Sequence, residues 1–150
     1  MSEVKRLISQ FLERVTEWNE INSKSADVIR VIDQSGSDIH SKSGELTDSL
    51  QAMRDILTQL YSLRDRLAAV LPAAESSLLQ TLFDCVLAFD DEYTLKDTIV
   101  RTLLHSCSTT QHRATFAALW RVQPYVDQVH IERLTAMNIE NKERSNKSVS

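Results

Sequence analysis

At 150 residues, with 42% apolar and 25% charged side chains, the chain has the balance of one globular domain rather than of a disordered segment. Its formal net charge of −4 argues against a duplex-binding surface, which needs a basic excess on some face. Two glycines and two prolines are too few for the turns of a sheet protein, so long helices with few connections are expected.

From Val4 to Ile32, apolar residues recur in steps of three and four through Val4, Ile8, Phe11, Val15 and Trp18, then Ile29 and Ile32. That spacing predicts a first long amphipathic helix with a heptad-like seam. Asn22 and Ser25 occupy the seam where two more apolar residues belong, and read as an interruption of packing. The alternative is that they fix register or partner choice. Gln34 to Gly44 is dense in Ser, Gly and Asp and reads as a linker.

A second helix carries Leu46, Leu50, Met53, Leu57, Leu60, Leu67 and Leu71 on the same spacing, with Arg64 as the polar intruder. Pro72 stops it, because the ring removes a donor and clashes with the preceding turn. The two helices should form an antiparallel hairpin. Ser76 or Ser77 is placed to cap a third long helix toward Cys107, with Asp90, Asp91 and Glu92 midway along it. These three carboxylates read as a solvated face, since adjacent helix positions diverge and no histidine stands at ligand spacing. Cys85 and Cys107 fall in one helix, too far apart to bridge, and read as reduced packing residues. A short helix from about Gln111 to Arg121 follows, and Pro124 is placed to open a fifth as its first residue. Residues 141–150 form a polar tail expected to be disordered, leaving 1–140 as a single helical domain.

The chemistry of catalysis is not visible. No glycine-rich phosphate loop occurs, the four histidines show no ligand spacing, and no nucleophile elbow is present. No catalytic, cofactor or metal site is assigned, and the chain is not expected to be an enzyme. No apolar run approaches a membrane span, and the N-terminus lacks a secretory apolar region, which points to a soluble cytosolic or nuclear protein. Arg101-Thr102-Leu103-Leu104 fits a loose cyclin-docking pattern, but its leucines lie on an apolar stripe and read as core.

The segment from Glu92 to Tyr125 carries Glu-Tyr-Thr-Leu-Lys, then Leu103 and His105, then Trp120 and Gln123-Pro124-Tyr125-Val126. It resembles the C-terminal region of the cyclin-dependent kinase 2-interacting protein family. A second echo is Trp18-Asn19-Glu20-Ile21-Asn22, similar to that family's Trp-x-x-Leu-Asn. Together the two cover about half the chain; the spacing from histidine to proline needs a one-residue shift, and this chain is shorter than vertebrate members. The resemblance implies a nuclear, non-enzymatic adaptor in genome maintenance and replication. It also implies protein partners: cell-cycle or checkpoint kinases, and a AAA+ ATPase assembly that remodels replisome or pre-ribosome clients. Direct nucleic-acid and membrane contacts are not expected. A self-associating coiled-coil scaffold is the alternative within binding proteins, and an enzyme with a site assembled from distant residues is the alternative outside them.

The residues expected to meet a partner are Trp120, Gln123, Pro124, Tyr125 and Val126. Trp120 reads first as a core clamp on the turn, whereas Tyr125 stands evenly between core and partner anchor. The expected fold is all-α: a long antiparallel hairpin, a third long helix packed on it, and two short C-terminal helices closing one end.

Overall fold

A computed structural model describes the backbone of residues 2–35, 39–105 and 109–148, and the side chains of 3–34, 41–104 and 109–138. Its elements are α1 (Ser2–Ser35), α2 (Ile39–Val70), a short 3-10 turn (Ala73–Glu75), α3 (Ser76–His105), α4 (Thr110–Val122) and α5 (Gln128–Ser148). The all-α class follows, with no strand among the described residues.

The seam of α1 meets that of α2 antiparallel. Val4 to Trp18 share one core cluster with Met53 to Leu67, while Ile29 and Ile32 share the other with Leu46 and Leu50. The Arg14 guanidinium donates to Gln59 Oε1 at 3.2 Å across the hairpin. Val15 lies in the cluster that holds Leu57 and Leu60, as an antiparallel pair requires. α2 stops at Val70 for the expected reason: Pro72 is extended and supplies no donor, and its carbonyl accepts from Glu75 to start the 3-10 turn. Ser76 then opens α3, which returns along α2.

Several expectations are corrected. The linker from Gln34 to Gly44 is mostly helix, since α1 continues to Ser35 and α2 begins at Ile39. Helix propensity is a weak prior, and the burial of Ile32 and Leu46 in one apolar cluster overrides the Ser and Asp around them. Gly36 lies outside the described residues, as does Cys107. The two C-terminal helices do not close an end. α4, with 13 residues, packs on α1 and α3 beside Ile29 and Val100, and α5, with 21, continues beside Phe11 and Leu82. Together they form the broken fourth helix of an up-down-up-down bundle. The groove left between α1 and α3 demands this, because Val126, Ile131, Leu134 and Met137 find their apolar partners only there. α5 also carries helical backbone to Ser148, beyond the boundary at residue 140 drawn from the polar composition.

Pro124 does not open α5. It follows Gln123, whose φ of 51° and ψ of 68° place it in the left-handed region at the C-terminus of α4. Proline is common just after such a cap because it cannot continue the helix. Asp127 caps α5 instead, its side chain accepting from Val129 N–H at 2.9 Å and its carbonyl from His130 N–H at 3.2 Å.

Candidate partner-binding turn and its buried support

The joint between α4 and α5 sits at mid-height of the bundle, where the two apolar clusters adjoin. Thr109 starts α4, its hydroxyl accepting from His112 N–H at 3.1 Å, and Leu119 O closes the helix by accepting from Gln123 N–H at 3.1 Å. Pro124 then removes one rung of the helical ladder. The carbonyl of Trp120 would accept from residue 124, which has no N–H.

Lys96 of α3 fills that vacancy. Its Nζ donates to Trp120 O at 3.0 Å and lies 4.5 Å from the centroid of the Trp120 ring. It also donates to Glu92 Oε1 at 3.3 Å, one turn back on the same helix. Glu92 Oε2 in turn accepts from Tyr125 N–H at 3.3 Å, the donor of the next lost rung. Both charged side chains are 0% exposed. Burial pushes the Lys96 ammonium down to about 8, against the pull of Glu92. Burial also pushes the Glu92 carboxyl up, opposed by Lys96 and the Tyr125 N–H.

From the other side α1 holds the joint through indoles. Trp120 is fully buried, and its Nε1–H donates to Ser25 Oγ at 2.9 Å. The Ser25 hydroxyl in turn donates a hydrogen bond to Ile21 O at 2.7 Å. Trp18 Nε1–H donates to Gln123 Oε1 at 2.6 Å, and Gln123 Nε2 donates to Asn19 Oδ1 at 3.3 Å. The Trp18 ring also meets Phe89 edge to face, centroids 5.1 Å apart, joining α1 to α3 across the bundle. Ser25 is therefore not an interruption of packing but the acceptor for a buried indole. Asn22 is buried beside it, with Oδ1 unpartnered among the described residues.

The five residues expected to meet a partner divide by burial. Trp120 and Gln123 are buried, and Val126 is half-buried against the apolar core. Pro124 and Tyr125 are exposed, Tyr125 by 52%. Val122 at 66% and Val129 at 47% extend this outer apolar surface on the flanking helices. The turn thus has an inner set that fixes it and an outer set open to solvent.

The acidic run is corrected too: only Asp91 is solvated. Asp90 accepts from the Tyr61 hydroxyl, Glu92 is wholly buried, and Asp91 points outward. Glu92 and Lys96 extend the three-four seam of α3 between Phe89 and Ile99, a signal legible in the spacing. No group of three or more metal-ligating side chains converges among the described residues, and none of their helices is long and apolar enough to cross a membrane. The cyclin-docking pattern is core at Leu103, which is buried in α3. No protein family, curated protein or solved structure matches this chain.

Proposed function

We propose that this chain is a non-enzymatic adaptor that offers the turn at Pro124 and Tyr125 to a protein partner. The partners are those the resemblance implies, a AAA+ ATPase assembly in the nucleus together with cell-cycle or checkpoint kinases, serving genome maintenance, replication or ribosome maturation. One observation carries the reading. Residues quoted for that resemblance, Trp18 and Asn19, Glu92 and Lys96, Trp120 and Gln123, meet around a single turn, and Tyr125 projects from it half exposed. An aromatic residue held on a fixed backbone and left open to solvent is the usual form of an interface anchor.

The test joins stability to capture. Tyr125→Ala should move the unfolding free energy by no more than about 0.5 kcal/mol, as for other surface substitutions. It should also weaken capture of a AAA+ ATPase from nuclear extract, identified by mass spectrometry, by more than about tenfold. A variant that captures the assembly as well as the parent removes the turn from the contact. A purified chain that hydrolyses ATP unaided overturns the adaptor reading itself.

A further inference from the structure

We propose that Glu92 and Lys96 are positioning residues that staple the α4–α5 joint to α3, so that the outward set of the turn bearing Tyr125 depends on this pair. The inference concerns the free protein, and rests on the partner reading only for the use made of the turn.

Elsewhere α4 is held by α1, through Trp120 on Ser25 and Gln123 on Trp18 and Asn19, and all of these bonds lie before Pro124. A helix of 13 residues is marginal alone, and Trp120 is its one fully buried residue among those described. After Val122 the ladder stops, because Gln123 turns left-handed and Pro124 lacks a donor. Only turn bonds lead on to α5: Val126 N–H to Gln123 O at 3.1 Å, then the Asp127 cap. The α1 bonds fix only the α4 side of the break, so the turn beyond Pro124 can pivot against it unless one support grips both sides.

The pair does so. Lys96 grips the carbonyl of Trp120 before the pivot, and Glu92 grips the amide of Tyr125 after it. The two side chains are themselves bonded one turn apart on rigid α3. They supply the donor that Pro124 cannot and accept from the donor that the turn has freed. A wholly buried ion pair brings little net stability over apolar residues of similar volume. What it adds here is direction, since any other placement of the turn leaves a charge without its hydrogen bonds in the interior.

The test is amide hydrogen exchange on the full chain, comparing the parent with Lys96→Met and with the doubly neutral Glu92→Gln plus Lys96→Met. In Lys96→Met, exchange at residues 119–123 and at Tyr125 should quicken by about tenfold or more, while mid-helix amides of α1 and α2 shift by less than about threefold. The double variant keeps an amide oxygen for Tyr125 N–H but offers nothing to Trp120 O. Protection should therefore return at Tyr125 and stay lost at 119–123. Uniform acceleration through α1 to α3 overturns the proposal, because it describes a core pair with no local task. Parent-like protection at 119–123 overturns it equally. If Lys96→Met alone does not fold, the double variant, which strands no charge, decides by the same criteria. Neither result bears on whether Tyr125→Ala still captures the ATPase, so the two readings fail separately.

Discussion

Toward the end of the bundle where α5 lies, α1, α2, α3 and α5 meet chiefly through apolar side chains, with Phe11, Leu60, Leu82 and Leu134 all fully buried. At the joint between α4 and α5 the buried contacts include a set of hydrogen bonds and one ion pair, made by Trp18, Ser25, Glu92, Lys96, Trp120 and Gln123. Apolar packing is non-directional and tolerates a small slip between helices. The polar joint is not tolerant, because each misplaced donor or acceptor forfeits about 1–3 kcal/mol when left unpaired. The first region therefore supplies driving force, and the second decides where the fourth helix breaks and which way its turn faces.

Trp120→Ala is the largest expected break in that comparison. It removes the sole fully buried side chain of α4, the donor to Ser25 and the ring under Lys96. A loss of about 3–5 kcal/mol is expected by denaturant unfolding, comparable to Phe89→Ala in the apolar region. The two should differ in character: Phe89→Ala lowers protection throughout the bundle, whereas Trp120→Ala frees α4 first. Equal protection loss in all helices would show that the joint and the apolar core form one cooperative unit.

The next effect is read through pH. Lys96 is pushed down to about 8 from its usual 10.5. Below about pH 8 it is protonated in both states, and the folded chain carries the whole penalty of burying the cation. Between 8 and 10.5 the unfolded chain still holds a proton that the folded chain has released, so this contribution to stability rises with pH. Cys85 and Tyr61 act oppositely, since burial pushes each up to about 12, with the Asp90 hydrogen bond adding to the rise at Tyr61. Both keep their protons when folded, so their contributions fall above their usual 9.0 and 10.0. Subtracting the curve of the double variant Glu92→Gln plus Lys96→Met isolates the pair. The parent should gain on the order of 3 kcal/mol relative to it across pH 8 to 10.5. Parallel curves from urea unfolding would mean that Lys96 is better solvated than its burial implies.

The apolar region is the part that was legible beforehand. Steps of three and four in α1 and α2 led directly to the antiparallel seam, and Pro72 marked the end of α2 to within two residues. The joint was legible only in part, because the spacing puts Glu92, Lys96, Asn22 and Ser25 on the seams but periodicity scores them as polar intruders and cannot show which groups they bond. Pro124 misled for a related reason. A proline beside a helix marks either its first turn or the residue after its cap, and only the left-handed Gln123 decides between them. Trp120 and Tyr125 were singled out together, yet the backbone reversal between them sends one inward and the other outward.

Gln123 gives the smallest effect, and one that separates backbone from side chain at the joint. Gln123→Ala leaves the Trp18 indole N–H without its acceptor and keeps a Cβ in the left-handed region. The unpaired donor should cost about 1–3 kcal/mol. Gln123→Gly loses the same hydrogen bonds but relieves the backbone, for which a left-handed residue with a Cβ costs roughly 1 kcal/mol. Glycine should therefore be the more stable of the two variants by about 1 kcal/mol, while both stay below the parent. If glycine matches the parent, the bonds to Trp18 and Asn19 contribute nothing, and the turn is set by its cap alone. If alanine and glycine unfold at the same denaturant concentration, the joint has shifted to spare the alanine its strain. In that case amide exchange at Tyr125 should quicken in the alanine variant alone, because a shifted turn loses its hold on Glu92.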